Sequence, residues 1–354
     1  MRRFAPAQLL GPTALLVLVG VVGSFTDRAR ELEFRNALVA AAIVVALYVF
    51  VGNSGVLSFG QVSFVAVGAF ASAVMTIPTD TKPTIIPGLF TFLKEHSIGN
   101  TESLALAAGL GGLYALLVGI PLMRLSGLAA GIATFAVLGV TYNILRNWEK
   151  IGPGPQTLTT IPETTDLWQA TVGVIAVVAI GFAYQRSRLG RQLRAAREDP
   201  AAAQAAGIDI RRQRLWAFTL SGALSGFAGG LFVHAQSTLT TDDVYLELTF
   251  LSLAMLVVGG ISSLWGAVFG ALLVSGLDSF LLNAENGQIS GLDLPGGTRL
   301  VAVGAVMAVV LVFLPSGVTR GREFSLVPLA RHVRAARAVG SRRPGTREKG
   351  ERWP

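Results

Sequence analysis

The chain has 354 residues, 52% of them hydrophobic and only 14% charged, with a positive mean hydropathy. That composition excludes an ordinary soluble domain and indicates a polytopic membrane protein. The net charge of +8 does not signify nucleic acid, because the arginines cluster in one inter-span loop and the C-terminal tail, and the absence of cysteine excludes disulfides, thiol catalysis and thiolate metal sites.

Runs of about 15–24 apolar residues predict an all-α membrane helix bundle of about ten transmembrane spans. They lie near 9–25, 36–52, 57–77, 103–123, 126–145, 168–184, 215–235, 247–261, 262–284 and 298–314, the division at 247–284 being the least distinct. The first follows Met1-Arg2-Arg3. No small-x-small cleavage signature follows Val22, so this run reads as an uncleaved span rather than a secretory signal. With the N-terminus inside, Lys and Arg number 21 on the inner face against 8 on the outer, which places both termini in the cytoplasm. A transmembrane domain, 1–315, is thus followed by a basic tail, 316–354. The tail carries Arg331, Arg334, Arg337, Arg342 and Arg343 among small residues, and reads as a disordered segment held near anionic membrane lipid.

The third span opens on a broken stretch, Gly52 to Phe70, that mixes four glycines with Asn53, Ser54, Ser58, Gln61 and Ser63. In hydrocarbon a broken helix is tolerated only where protein or a water-filled cavity satisfies its backbone. Ser58, Gly60, Gln61 and Ser63 are therefore candidates to line a path, with close helix packing as the competing role. The outer connections at 78–102 and 146–167 contain Pro78, Pro83 and Pro87, then Pro153, Pro155 and Pro162, and read as ordered loops, either plain connections or contacts for a soluble binding protein. Gly152-Pro153-Gly154 lacks the lysine and helix start of a phosphate loop.

Residues 185–214 hold eight arginines against three acids. At a bilayer centre eight arginines would cost on the order of 20 kcal/mol, so the stretch lies in water. Within it Asp199 is an N-cap, Pro200 suits the first helical position and Gly207 the left-handed end, which predicts a short exposed helix. The following span repeats Ser221-Ser225-Gly229 and Gly222-Gly226-Gly230 on adjacent strips, marking a buried helix able to transmit a push from the loop. Gly259-Gly260 breaks the next span near the cytoplasmic side and is a candidate gate or hinge; Gly266-x-x-x-Gly270 follows it. Asp278 lies in the outer part of its span, a candidate for a proton or substrate role or simply a hydrated acid. His96, His234 and His332 are scattered and form no metal pair.

The pattern Arg191-x-x-Arg194-Ala195-x-Arg197-Glu198-Asp199-x-x-Ala202-Ala203-x-x-x-Gly207-Ile208 resembles the cytoplasmic loop of bacterial ABC-importer permeases, most of all the branched-chain amino acid branch, the LivM/LivH permeases. Leu57-Ser58-x-Gly60-x-x-x-Phe64-x-x-x-Gly68-Ala69-Phe70 and Gly259-Gly260-x-Ser262-Ser263-x-x-Gly266-x-x-x-Gly270 are similar to two further segments of that family. Gln204 stands where many members carry an acid, and Ser262 where glycine is commoner.

The resemblance spans roughly 35–315. It implies that Arg194, Arg197, Glu198, Asp199, Ala202, Ala203 and Gly207 belong to a coupling helix that docks on an ATPase. It further implies a homologous second permease subunit, two cytoplasmic ATPase subunits and an extracytoplasmic solute-binding protein at a bacterial cell (inner) membrane. The chain has no Gly-x-x-x-x-Gly-Lys-Ser/Thr, so ATP hydrolysis belongs to the separate subunits and this chain is a transport subunit without a cofactor. The implied solutes are branched-chain amino acids, with urea, short amides or other amino acids as alternatives in the same class. An ion-coupled secondary transporter is the rival class, and only Asp278 offers it a site. The family's inverted repeat would make the breaks at 52–68 and 259–270 corresponding positions.

Overall fold

The computed structural model describes residues 5–125, 127–152, 154–287, 295–314 and 316–319. Met1-Arg2-Arg3, Pro153 and the arginines of the basic tail lie outside the described residues. Each apolar run forms a helix. In chain order these are α1 (Ala5–Ser24), α2 (Arg28–Ser54), α3 (Gln61–Thr76), then the short α4 (Lys82–Ile85) and α5 (Thr91–Glu95), followed by α6 (Asn100–Leu122), α7 (Gly127–Asn147) and α8 (Leu167–Arg186). The arginine-rich stretch forms α9 (Arg188–Glu198) and α10 (Pro200–Ala205), and the chain continues through α11 (Ile210–Gln236), α12 (Leu246–Gly259), α13 (Leu264–Glu285) and α14 (Thr298–Phe313). Among the described residues there is no β-strand beyond one isolated bridge, Leu158 to Leu239.

By length and composition α2, α6, α7, α8, α11 and α13 are able to cross a membrane. The other apolar helices are shorter: α12, with 14 residues, rises only about 21 Å. α2 starts ahead of its apolar run because the polar turn Arg28-Ala29-Arg30-Glu31-Leu32-Glu33 consists of good helix formers, which a hydropathy count passes over.

α2 is apolar on every side and is the centre of the bundle, buried almost continuously from Leu38 to Ser54. α11 packs against α2, α3 and α6 through its two small-residue strips. Gly222 faces Gly111 and Ala115 of α6, and Gly226 lies against the Ala107 carbonyl. On the other strip Ser221 donates to the Ala46 carbonyl of α2 at 2.6 Å, and Gly229 lies against the Val65 carbonyl of α3. Small residues let these backbones touch, which is how helices associate where no hydrophobic effect drives them together.

Side-chain contacts fix the two ends. At one, Arg35 of α2, 7% exposed, donates to Glu163, to the Thr165 carbonyl and to the Ala235 carbonyl at the end of α11. Gly23 of α1 meets Leu167 there, and Arg299 of α14 bonds Asp278 of α13 at 3.0 Å and also Glu247 of α12. At the other end α8 runs into α9, Arg197 reaches the end of α2, and the Val318 amide bonds the Val258 carbonyl. Successive apolar helices alternate in direction, so the start of α1, the α9–α10 segment and residues 316–319 share this second end.

The two glycine-rich breaks are neighbours. A Cβ on Gly52 would lie 2.8 Å from the Ile261 carbonyl oxygen, so both breaks sit at the arginine-loop end. An in-plane two-fold axis carries one end of a bundle to the other, so these breaks are not counterparts in an inverted repeat; their likeness is one of composition, not of position.

At the opposite end the connections pack back on the bundle. Lys82 is fully buried and donates to the Leu93 and His96 carbonyls, closing the α4–α5 segment; burial lowers its pKa below the usual lysine value. Leu158 and Leu239 exchange backbone hydrogen bonds of 2.8 and 2.9 Å.

The α6–α11 contact gives a direct test. Gly226→Val places a branched side chain against the Ala107 carbonyl and should destabilise the bundle by about 1–3 kcal/mol or more. Gly139→Val on α7, where a Cβ meets nothing within 4 Å, should be tolerated. Fluorescence-detected size exclusion in mild detergent would show an aggregated or missing peak for the first and a normal one for the second; two normal peaks would contradict the packing.

Candidate functional site

The arginine-rich segment folds by local rules. Ser187 Oγ accepts the Gly190 amide at 3.1 Å and starts α9, whose Leu193 and Ala196 are buried against the bundle. Asp199 Oδ1 accepts the Ala202 amide at 3.0 Å with Pro200 at the first helical position, and α10 follows. Gly207, at φ +79°, turns the chain, and the Ile208 amide returns to the Ala203 carbonyl at 3.0 Å. Asp209 then caps α11 by accepting the Arg212 amide at 3.1 Å. The predicted cap, proline and glycine all stand where the helix needs them.

The candidate coupling residues divide into two groups. Arg194, Glu198, Asp199, Ala202 and Gly207 are exposed, and among the described residues nothing lies within 4 Å of where a Cβ on Gly207 would be. Ala203 instead faces inward, buried with Ala196 and Ile210, so it seats α10 rather than presenting a surface. Arg197 is also turned inward: its Nη1 donates to the Gly52 carbonyl of α2 at 2.7 Å. Arg194 donates at 2.5 Å to the Gln185 carbonyl and Arg191 at 2.9 Å to the Arg186 carbonyl, both at the end of α8. Cations and donors at these positions meet the carbonyls that a helix C-terminus leaves unpaired. One turn deeper, Tyr48 of α2 donates to Gln185 Oε1 at 2.8 Å.

The break after α2 begins at Gly55, at φ +71°, whose amide closes the helix on the Val51 carbonyl at 2.9 Å. Residues up to Gly60 are irregular and lie under α7: the Phe59 amide bonds Thr134 Oγ1 at 3.2 Å, and a Cβ on Gly60 would stand 2.6 Å from the Thr134 carbonyl oxygen. Here, among the described residues, Asn53 Oδ1, Ser58 Oγ, both amide atoms of Gln61 and Ser63 Oγ are buried without a hydrogen-bond partner. Each residue is at most 3% exposed. Leaving such a group unpaired costs about 1–3 kcal/mol.

Gly259 and Gly260 lie at the turn between α12 and α13. Gly259 is pressed against Gly266 and Gly270, and Thr319 Oγ1 donates to its carbonyl at 2.7 Å. The broken stretch, the glycine turn and the arginine loop thus meet around Gly52. Asp278 lies at the opposite end in its ion pair with Arg299, away from this cluster.

Two features carried no sequence signal beyond ordinary core patterning. An apolar cavity of about 790 Å³ opens between α3, α6 and α7, lined by Val67, Phe70, Val74, Leu106 and Leu110, with the Tyr114–Thr141 hydroxyl pair at 2.7 Å on its wall. His234 near the end of α11 bonds the Pro162 carbonyl at 3.0 Å and Ser72 Oγ at 2.9 Å, joining an outer loop to α3. Among the described residues no three His, Asp or Glu side chains gather as a metal site would require.

Residues 34–314 match the family described as "Branched-chain amino acid transport system / permease component". The chain is 26% identical over 301 residues to the high-affinity branched-chain amino acid transport system permease protein LivM of Escherichia coli (strain K12), covering 75% of this chain and 67% of that protein. It is 27% identical over 262 residues to LivM of Salmonella typhimurium, 64% of this chain and 58% of that one. To the autoinducer 2 import system permease protein LsrC of Klebsiella pneumoniae it is 29% identical over 214 residues, 59% of each. The chain therefore spans between 58% and 67% of the length of these relatives. No solved structure matches it. With the match covering most of an apolar helical bundle, the chain is a multi-pass membrane protein and belongs to the family of ABC-type branched-chain amino acid transport permeases.

Proposed function

We propose that this permease imports branched-chain amino acids handed to it by an extracytoplasmic binding protein, driven by two cytoplasmic ATPase subunits and working beside a homologous second permease subunit. The observation that carries the reading is the short capped helix α10, exposed beyond one end of an apolar bundle with Ala202 and Gly207 uncovered. Such a surface, small-sided and flanked by arginines, suits a soluble partner. The same end would then be cytoplasmic, in line with the excess of Lys and Arg on that side. In this reading Ser58, Gln61 and Ser63 line the path: their unpaired polar atoms offer a passing solute the hydrogen bonds the chain itself leaves unmade. Gly259 and Gly260 act beside them as a pivot rather than a contact surface.

The resemblance to LivM proteins favours leucine, isoleucine and valine. The likeness to an autoinducer 2 permease favours a second reading, in which the same machinery takes a small solute other than a branched-chain amino acid. Reconstitution with its binding protein and ATPases separates these. ATP-dependent uptake of labelled leucine, competed by isoleucine and valine and not by urea or acetamide, is the expected result. A chain that purifies alone and moves solute on an ion gradient without ATP would overturn the assignment.

Two substitutions follow. Gly207→Val forces a β-branched residue to φ +79° and covers the docking face, so uptake should fall with the permease at normal abundance; undiminished uptake would remove α10 from the coupling surface. Gln61→Leu deletes two unpaired buried amide atoms and should raise the melting temperature by a few degrees while cutting uptake about tenfold. A lower melting temperature with normal uptake would mean that Gln61 serves packing instead.

A further inference from the structure

Gly52 lies in the last turn of α2, and its carbonyl is one the helix leaves behind. Had the helix continued, the Val56 amide would have bonded it; that amide instead bonds Ser54 Oγ at 3.2 Å. Arg197 takes the vacated acceptor with Nη1 at 2.7 Å. Its Cγ and Cδ stand 2.9 and 3.1 Å from where a Cβ on Gly55 would be, so the stem covers the left-handed residue that ends α2. Arg191 and Arg194 bond back onto the end of α8, the helix that leads into the loop. Arg197 crosses to the central helix.

Its place in the chain makes that crossing consequential. Arg197 sits in the last turn of α9, and only Glu198 and Asp199 separate it from Pro200 of α10. Downstream of Gly52 come Asn53, Ser58, Gln61 and Ser63 with their unpaired polar atoms, and beside Gly52 stands the Ile261 carbonyl in the α12–α13 turn. We propose that Arg197 is a positioning residue for transport: it ties α10 to the α2 break, so that a displacement of the docked helix shifts the polar stretch 53–63. This rests on α10 being the ATPase docking surface. Arg197 belongs to the inner linkage and not to the docking face itself.

The test uses the complete importer in proteoliposomes and reads solute imported per ATP hydrolysed. Arg197→Met keeps an apolar stem over Gly55 and removes the donor to Gly52; solute per ATP should fall about tenfold with the ATPase pair still bound. Arg197→Lys returns one donor and should recover coupling to within about threefold of wild type. An unchanged ratio in Arg197→Met overturns the linkage. Should Arg197→Met fail to reach the membrane, Arg197→Gln decides, being polar but too short to reach the Gly52 carbonyl: a ratio reduced about threefold or more supports the tie, and the wild-type ratio overturns it. Cysteine cross-linking from Ala202→Cys in the wild-type background checks the parent reading separately, since failure to capture an ATPase subunit there would remove α10 as the dock whatever Arg197 does.

Discussion

A helix that stops at the end of an apolar bundle leaves carbonyls without partners in its own ladder, and here cationic side chains supply donors to several of them. Arg35 serves the end of α11, Arg194 the end of α8, Arg197 the end of α2, and Lys82 the Leu93 and His96 carbonyls in and just after α5. In each case a donor from a different segment closes a helix, so the satisfaction of the backbone and the tertiary assembly are one event. A charge placed there also meets the negative end of the helix dipole, which offsets part of the cost of burying it.

Between those ends, contact is made by the smallest residues. α11 holds α2, α3 and α6 at backbone distance through Ser221, Gly222, Gly226 and Gly229, and α2 is buried almost continuously from Leu38 to Ser54. α7 joins the cluster mainly through α3 and stands off from α6. The opening that results is the apolar cavity between α3, α6 and α7. The polar stretch 53–63 lies on the other side of the same contact, under the early half of α7. α7 thus borders both an apolar space and the unpaired polar groups, and its position governs access to each.

Local chemistry was legible in the sequence. Asp199, Pro200 and Gly207 form a cap, a first turn and an end within nine residues, and hydropathy alone located each apolar helix. What the sequence did not carry was partnership across the fold. Nothing in the spacing of the loop arginines separates Arg194, which faces outward, from Arg197, whose acceptor lies 145 positions away. Ala203 looks like any exposed alanine of the short helix until Ala196 and Ile210 are seen to cover it. The glycine breaks misled for a related reason: composition records that a helix stops, and not at which end of the bundle it does so. Asp278 was ambiguous for want of its partner, Arg299, one helix later.

At the turn between α12 and α13 the backbones meet at glycines, 259 pressed on 266 and 270 with Gly317 alongside. Glycines lose no side-chain freedom on assembly, so this contact is made largely by backbone packing, with the Ser263 and Thr319 hydroxyls bonding it. Under the pivot role proposed above, its arms would be unequal, about 21 Å for α12 and about 33 Å for α13. A tilt of only ~10° about it sweeps the far end of the longer arm by roughly 6 Å while the joint itself stays nearly still. The Arg299 ion pairs tie Glu247 near the far end of α12 and Asp278, about two-thirds of the way along α13, to α14.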